Sequence, residues 1–335
     1  MKIAVDAMGG DHAPEIIVLG AVEAAREFDL SLILVGDQEG VSRELAKTNP
    51  PSDLIEVCHC AQVAGMEEAP VEVLRRKKDS SIRVAFDLVK SGQAQAVVSA
   101  GNSGATLAVG TVILGRMEGV ERPGIATLFP TLKGRTILID AGANVDCKPS
   151  FLLQFAIMAR AFSQVAFQVE EPSIGLLSIG EENTKGNDLV RQAHDLLSAE
   201  QINFIGNIEG RDIFSGLADV VVCDGFVGNV VLKVSEGLAE AMGIMLKEEL
   251  EAGFFSRWGA LLTLGALKRF KKRVDYAEFG GAPLLGINGV GIISHGGSSP
   301  KAIKNAIRFA AELVRGDVTA RLQECLRRFG KAAPA

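Results

Sequence analysis

Seven segments of this chain join a short aliphatic run to a loop of glycine with Asp, Asn, Ser or His: VDAMGGDHAP, LVGD, VVSAGNSGAT, LIDAGANVD, LLSIGEENTKGN, VVCDGFVGN and IISHGGSS. Glycine lets a backbone approach a ligand closely, and such loops at the carboxyl ends of parallel strands are where open α/β sheets bind small molecules. The same residue types make ordinary turns and helix caps, which suffices for LVGD. In SAGNSGAT, Ser99, Gly101, Asn102, Ser103 and Gly104 are the candidate phosphate-binding residues. Free N–H groups and the dipole at a helix start form an anion site there, and the Ser103 hydroxyl adds a donor. Lys185, inside a Gly/Asn loop, is a point charge suited to phosphate or to a developing oxyanion. Asn229 opens a long helix and is suited to donate to a carbonyl oxygen, while His12 and His295 are the two histidines on such loops. Asp6, Asp11, Asn144, Asn187 and His295 are expected to support the loops.

Several familiar motifs fail on spacing. No G-x-G-x-x-G follows a strand, no G-x-x-x-x-G-K-[ST] occurs, and Ser103 misses G-x-S-x-G by one residue. His295-Gly296-Gly297 lies after any candidate nucleophile rather than before it. Cys58-His59-Cys60 has no second ligand pair, so no metal is assigned, and Cys223 reads as inert packing.

The elements that must hold these loops read as alternating strands and helices. Strands are expected at Lys2–Val5, Ser31–Val35, Leu54–Val57, Ala94–Ser99, Arg135–Ile139, Ser173–Ser178, Asn203–Ile205, Val220–Cys223 and Gly291–Ser294. They are apolar on both faces, as in a mostly parallel sheet covered by helices. Ile82–Val89, Leu107–Leu114, Phe151–Phe162 and Leu189–Leu197 carry the 3.6-residue period. A doubly wound α/β domain over residues 1–330, with a short tail at 331–335, is the simplest organisation, and all the loops are expected at one rim of its sheet.

Composition bounds the function. With 335 residues and 47% hydrophobic content the chain can bury a sizeable core, and its net charge of −6 argues against general nucleic-acid binding. Five cysteines, an odd number, and a start that runs directly into a strand without a cleavable leader suggest a reduced cytoplasmic setting. The longest apolar run, Trp258 to Leu267, is about half of what a bilayer crossing needs.

In this order, VDAMGGDHAP, SAGNSGA, DAGANVD, GEENTKGN, DGFVGNVVLK, YAEFGGAPLLG and SHGGSS resemble the bacterial phosphate acyltransferases of phospholipid synthesis, the acyl-carrier-protein:phosphate transacylases. The match runs from Lys2 to about Phe309. The resemblance implies a three-layer α/β/α fold of the isocitrate/isopropylmalate dehydrogenase type, related to phosphotransacetylase. It further implies a homodimer that converts acyl-ACP and phosphate into acyl-phosphate, with key roles for Lys185 and Asn229 and no cofactor. Ser103 stands where many members carry Thr, which keeps the hydroxyl. The chemistry agrees with the absence of a triad. A pantetheine thiol with a pKa near 8.5 leaves as thiolate at pH 7 at a cost of about 2 kcal/mol, so no strong general acid is needed. Phosphate is already ionised, so the task is to hold it against the thioester and to stabilise the oxyanion. His12 would adjust the leaving thiolate.

Residues 230–274 lack strand signals and read as a protruding helical hairpin. Val231, Val234, Leu238, Met242 and Met245 form one stripe; Phe254, Trp258, Leu261 and Leu262, followed by the cations Lys268 and Arg269, form a second. That pattern fits dimer packing at the base and peripheral contact with an anionic membrane surface at the tip. A basic run, Arg75, Arg76, Lys77 and Lys78, is either a solvated face or a dock for acidic acyl carrier protein. The product would feed a membrane glycerol-3-phosphate acyltransferase. The alternatives are a CoA-dependent phosphotransacetylase, a decarboxylating dehydrogenase, which lacks an arginine cluster and an acidic metal cage, and a non-catalytic acyl-ACP-sensing scaffold at the membrane surface.

Overall fold

The structure is a computed structural model and describes residues 1–274 and 280–332. Among these, eleven strands form one sheet: β1 (Lys2–Asp6), β2 (Ser31–Gly36), β3 (Ile55–His59), β4 (Ala96–Ser99), β5 (Gly124–Thr131), β6 (Gly134–Ile139), β7 (Ile174–Leu177), β8 (Phe204–Ile208), β9 (Val220–Val222), β10 (Ala282–Leu285) and β11 (Val290–Ile293). The helices are α1 (Glu15–Phe28), α2 (Gln38–Ala46), α3 (Pro70–Arg76), α4 (Ser81–Lys90), α5 (Ser103–Leu114), α6 (Pro149–Phe167), α7 (Asp188–Ala199), α8 (Gly225–Glu251), α9 (Phe254–Val274), α10 (Pro300–Arg315) and α11 (Val318–Ala332).

The expected α/β architecture holds. Its strands are apolar on both faces because both faces are covered. Ile137, Ile139, Val220 and Val222 point into a core shared with α1, α6, α7, α10 and α11, while their neighbours Leu138 and Val221 point the other way, towards Phe129 and Ile213. In the first half of the chain, Ala4 and Val97 pack against Phe86 of α4 and Val109 of α5. Helix α6 is long and apolar enough by composition to cross a membrane. Leu152, Phe155, Ala156, Met158, Ala159 and Phe162 are instead buried in this core.

The sheet order is β3-β2-β1-β4-β11-β10-β5-β6-β9-β7-β8. The five strands from β3 to β11 are mutually parallel, and so are the four from β6 to β8. Between them β10 and β5 are antiparallel to each neighbour. Three successive reversals make the two parallel blocks run in opposite directions. The register also staggers them. Ala282 of β10 pairs with Ile293, the last residue of β11, and Leu284 pairs with Ile125, next to Ala126, which pairs with Ile139 at the end of β6. The carboxyl ends of the two blocks therefore meet at the level of β10 and oppose one another. The expectation of one rim is corrected: two rims face each other, because β5 and β10, absent from the strands read in the sequence, reverse the chain direction.

Candidate active site

The first rim is organised around Asp6, the buried last residue of β1. Its carboxylate accepts the Ser99 hydroxyl at 2.7 Å and the Met8 N–H at 3.2 Å. Burial nevertheless pushes its pKa up, with Ser81, Ser99 and the Met8 and Gly9 amides pulling the other way. The Gly101 N–H in turn donates to the Ser99 oxygen at 3.1 Å. A side chain on Gly9 would reach to 2.6 Å from the Asp6 carboxylate and 2.7 Å from the Gly101 nitrogen, so only glycine permits this approach of two loops. Ser99 and Gly101 thus direct their polar groups inward.

Asn102 is the N-cap of α5. Its side-chain oxygen accepts from Ala105 N at 2.9 Å, and its amide nitrogen donates to the carbonyls of Met66 at 2.7 Å and Glu68 at 3.0 Å. The cap leaves the N–H groups of Ser103 and Gly104 without a protein acceptor among the described residues, with Ser103 exposed at the helix start. The loop after β11 lies against Met66: a side chain on Gly296 would come 2.8 Å from the Met66 methyl and 3.1 Å from an Asp11 carboxylate oxygen. The Asp11 N–H donates to the Gly296 carbonyl at 2.9 Å. His12 is exposed on the same loop as Asp11, and its backbone carbonyl accepts from Ile16 N at 3.2 Å.

The opposite rim is organised around Asp140, fully buried after β6. It accepts from the N–H groups of Ile125 at 3.0 Å, Ala143 at 3.1 Å and Asn144 at 2.6 Å, and from the Asn144 amide at 2.9 Å. Burial raises its pKa while these four donors lower it. The Asn144 side chain also donates to the Pro123 carbonyl at 2.9 Å, and its backbone carbonyl accepts the Gly225 N–H at 2.7 Å, tying this loop to the start of α8. Asp224, the α8 N-cap, accepts from Val227 N at 2.9 Å. Asn229, on the first turns of α8, is exposed, with its side chain beside Gly142, whose φ of +122° only glycine adopts readily.

A polar contact joins the rims directly. Lys233, one turn beyond Asn229, places its ammonium 3.0 Å from His295 Nε2 and 2.9 Å from Glu236. The chain of contacts from Asn102 through Met66, Gly296 and His295 to Lys233 makes the sites on both blocks continuous. Lys185 lies outside that chain. It is exposed on the loop after β7, its stem against Gly180, and makes no ion pair among the described residues. Asn187 is the N-cap of α7, accepting from Val190 N at 2.9 Å.

Two rims of glycine and small polar residues, with helix-start N–H groups on one and an amide and a lysine on the other, can hold an anion against a carbonyl without a proton relay. Comparison with known proteins decides between chemistries. Residues 1–321 match the family described as "Fatty acid synthesis protein". A phosphate acyltransferase of Geobacter sulfurreducens is 59% identical over 324 residues, covering 97% of this chain and 94% of that one. The chain belongs to the phosphate acyltransferase family. It is accordingly an acyltransferase of fatty acid synthesis. The fold is shared with a phosphotransacetylase from Streptococcus pyogenes, at TM-score 0.65 and 21% identity over 94% of each chain. It is also shared with 4-hydroxythreonine-4-phosphate dehydrogenase from Klebsiella pneumoniae, at TM-score 0.55 and 14% identity over 94% of this chain and 99% of that one.

The remaining expected residues of this family member lie away from the rims' junction. Arg75, Arg76 and Lys78 are exposed at and just beyond the end of α3, whose first residue, Pro70, lies against Gly104, with Arg76 paired to Glu72 at 3.1 Å. Lys77 differs from them: it is half-buried, bound to Glu68 and to the Val63 carbonyl at 2.5 Å, and so holds its own loop. Helices α8 and α9 form the expected hairpin. Leu262 is 87% exposed, and Lys268 and Arg269 are exposed. The side chains of Phe254, Trp258 and Leu261 lie outside the described residues, as does the Tyr276–Phe279 part of the YAEFGGAPLLG motif. Asp140, Lys233 and Glu236 were not among the expected residues. The signal for Lys233 was its spacing of four from Asn229, which puts both on one helix face.

Proposed function

We propose that this enzyme transfers a fatty acyl group from acyl carrier protein to inorganic phosphate, forming acyl-phosphate. A phosphate oxygen attacks the thioester carbonyl carbon. The tetrahedral oxyanion then collapses, the C–S bond breaks, and the carrier's pantetheine leaves as thiolate, to be protonated by solvent. The observation that carries the reading is the pair of opposed rims, with the unpartnered Ser103 and Gly104 N–H groups on one and Asn229 on the other. In this reading Ser103 and Gly104 cradle phosphate, Lys185 offsets its charge, Asn229 donates to the oxyanion and His12 adjusts the thiolate. Ser99 and Gly101 shape the cradle from beneath, since their donors already serve Asp6 and Ser99.

Long acyl chains are favoured over acetyl groups by the apolar surface of the hairpin. Phe226, Val230, Val234, Leu238, Met242 and Met245 are exposed along α8, a stripe suited to a second copy of the chain. Leu262, Leu264 and Phe270 are exposed on α9 beside Lys268 and Arg269, which suits an anionic membrane surface on the cytoplasmic side. Delivery there would serve a membrane enzyme that consumes acyl-phosphate, such as a glycerol-3-phosphate acyltransferase. The test is incubation of the purified protein with palmitoyl-ACP and phosphate, beside acetyl-CoA and phosphate, with the acyl-phosphate itself detected by mass spectrometry. Palmitoyl-phosphate supports the reading; acetyl-phosphate alone would establish a phosphotransacetylase instead, and formation of neither product would sink the enzymatic reading.

A further inference from the structure

We propose that Lys233 is a second phosphate-contacting residue, positioned by His295 and Glu236 and distinct from Lys185; the assignment rests on the phosphate-transfer reading above. The argument is a count of donors and acceptors where the rims meet. His295 Nε2 faces the Lys233 ammonium at 3.0 Å, and its Nδ1 faces the Gly297 N–H at 3.1 Å. A neutral imidazole has one acceptor nitrogen, so it satisfies one of these donors and opposes the other with its own N–H. Protonating the ring removes both acceptors. Glu236, 2.9 Å from Lys233 and 3.8 Å from His295 Nε2, supplies the one carboxylate bonded to this group among the described residues. The Asp11 carboxylate lies beside both Gly296 and Gly297, without a bond to Lys233 or His295 among the described residues.

The point therefore holds more hydrogen-bond donors than acceptors and includes a half-exposed ammonium. An acceptor-only anion resolves that surplus, and phosphate brings three or more such oxygens. A surface Lys–Glu pair alone would be worth little. What sets this one apart is that it reaches from α8 to the opposite rim, one turn from the amide of Asn229. Lys185 sits on the loop after β7, without a bond into this cluster, so in this reading the two lysines flank the anion from different elements, a loop and helix α8. His295 and Glu236 act through Lys233: they fix its stem so that the charge is in place before phosphate arrives.

The experiment compares wild type with Lys233→Met, Lys233→Arg, His295→Gln and His295→Leu. Phosphate and palmitoyl-ACP are varied independently, and inorganic phosphate is titrated directly by calorimetry. Lys233→Met is expected to raise both the KM and the Kd for phosphate about tenfold or more, leaving the KM for palmitoyl-ACP within about twofold, since a charge-assisted bond to one substrate is lost. Lys233→Arg, which keeps the charge, should recover phosphate binding to within about threefold of wild type. His295→Gln keeps an acceptor for the ammonium and should stay close to wild type, whereas His295→Leu should raise the phosphate KM with little change in kcat. Thermal midpoints identify any variant that fails to fold, and Lys233→Arg against wild type then carries the comparison. Unchanged phosphate binding in Lys233→Met, or equal rises for both substrates, overturns the assignment. Lys233-dependent phosphate binding in a protein that makes no acyl-phosphate would instead sink the transfer reading and leave this one standing.

Discussion

The α-carbon of Gly228 faces the carbonyl oxygen of Asp140 so closely that a methyl group built there would sit 1.9 Å from that oxygen. This approach lets α8 start directly against the loop that Asp140 organises, and it fixes Asn229 beside Gly142. Gly228→Ala should lower the unfolding free energy by about 3 kcal/mol or more, because backbone must move on both sides of the contact. Urea denaturation checks this; an unchanged midpoint with unchanged slope would contradict it.

Much of the fold was legible in the residues, and its decisive turn was not. Runs such as Val220–Val222 and Ile137–Ile139 are apolar at every position, which marks strands covered on both faces. Strand β5 carries Pro130 and β10 carries Pro283, each a residue that argues against a strand interior. Yet these two strands reverse the second block. Which way a strand runs is decided by pairing between residues far apart in sequence, as between Leu284 and Ile125, and no local pattern encodes it. The site divides similarly. Asn102 reads as a helix-start residue and is one. Ser99 reads as an exposed donor, but a buried carboxylate from 93 positions away takes its hydroxyl.

Asp6 gives a pH dependence of unusual sign. Its pKa is raised in the folded protein by burial, so across the window above the ordinary carboxyl value of 3.8 the native state binds more protons than the unfolded state. The stability it contributes is greatest below that value and declines as pH rises through the folded pKa. Asp6→Asn removes this titration. The stability of wild type relative to Asp6→Asn should therefore be lower at pH 7 than at pH 4, read by denaturant unfolding of both proteins. A relative gain with rising pH would show that the native carboxylate is stabilised instead.

Cys147 follows the Asp140 loop, beside the Asn144 carbonyl that also accepts the N–H of Gly225 at the start of α8. Burial pushes its thiol up to about 11, and its sulfur donates to the Asn144 carbonyl at 3.2 Å. At pH 7 only about one molecule in ten thousand would carry the thiolate, so direct attack by phosphate predicts no acyl-cysteine. Cys147→Ser should keep acyl-phosphate formation within about threefold of wild type, and intact-mass analysis during turnover should find no acyl adduct. A trapped adduct removed by this substitution would favour a two-step route.

The basic end of α3 predicts salt-dependent docking of acyl-ACP. Arg75→Ala/Arg76→Ala should raise the KM for acyl-ACP and flatten its dependence on ionic strength, because exposed charges act through screened, long-range attraction. Lys77→Ala should act differently, lowering the thermal midpoint, since Lys77 holds the loop that Asn102 anchors. Equal salt slopes in wild type and the double variant would leave this face without a role in docking.

The central claim is that phosphate itself displaces the thiol at the carbonyl carbon. Turnover of palmitoyl-ACP with phosphate labelled by oxygen-18 at all its oxygens tests it most directly. Mass spectrometry should find palmitoyl-phosphate that retains every labelled oxygen, one of them bridging carbon and phosphorus. Product lacking one label, or palmitate released with no acyl-phosphate, would contradict the account.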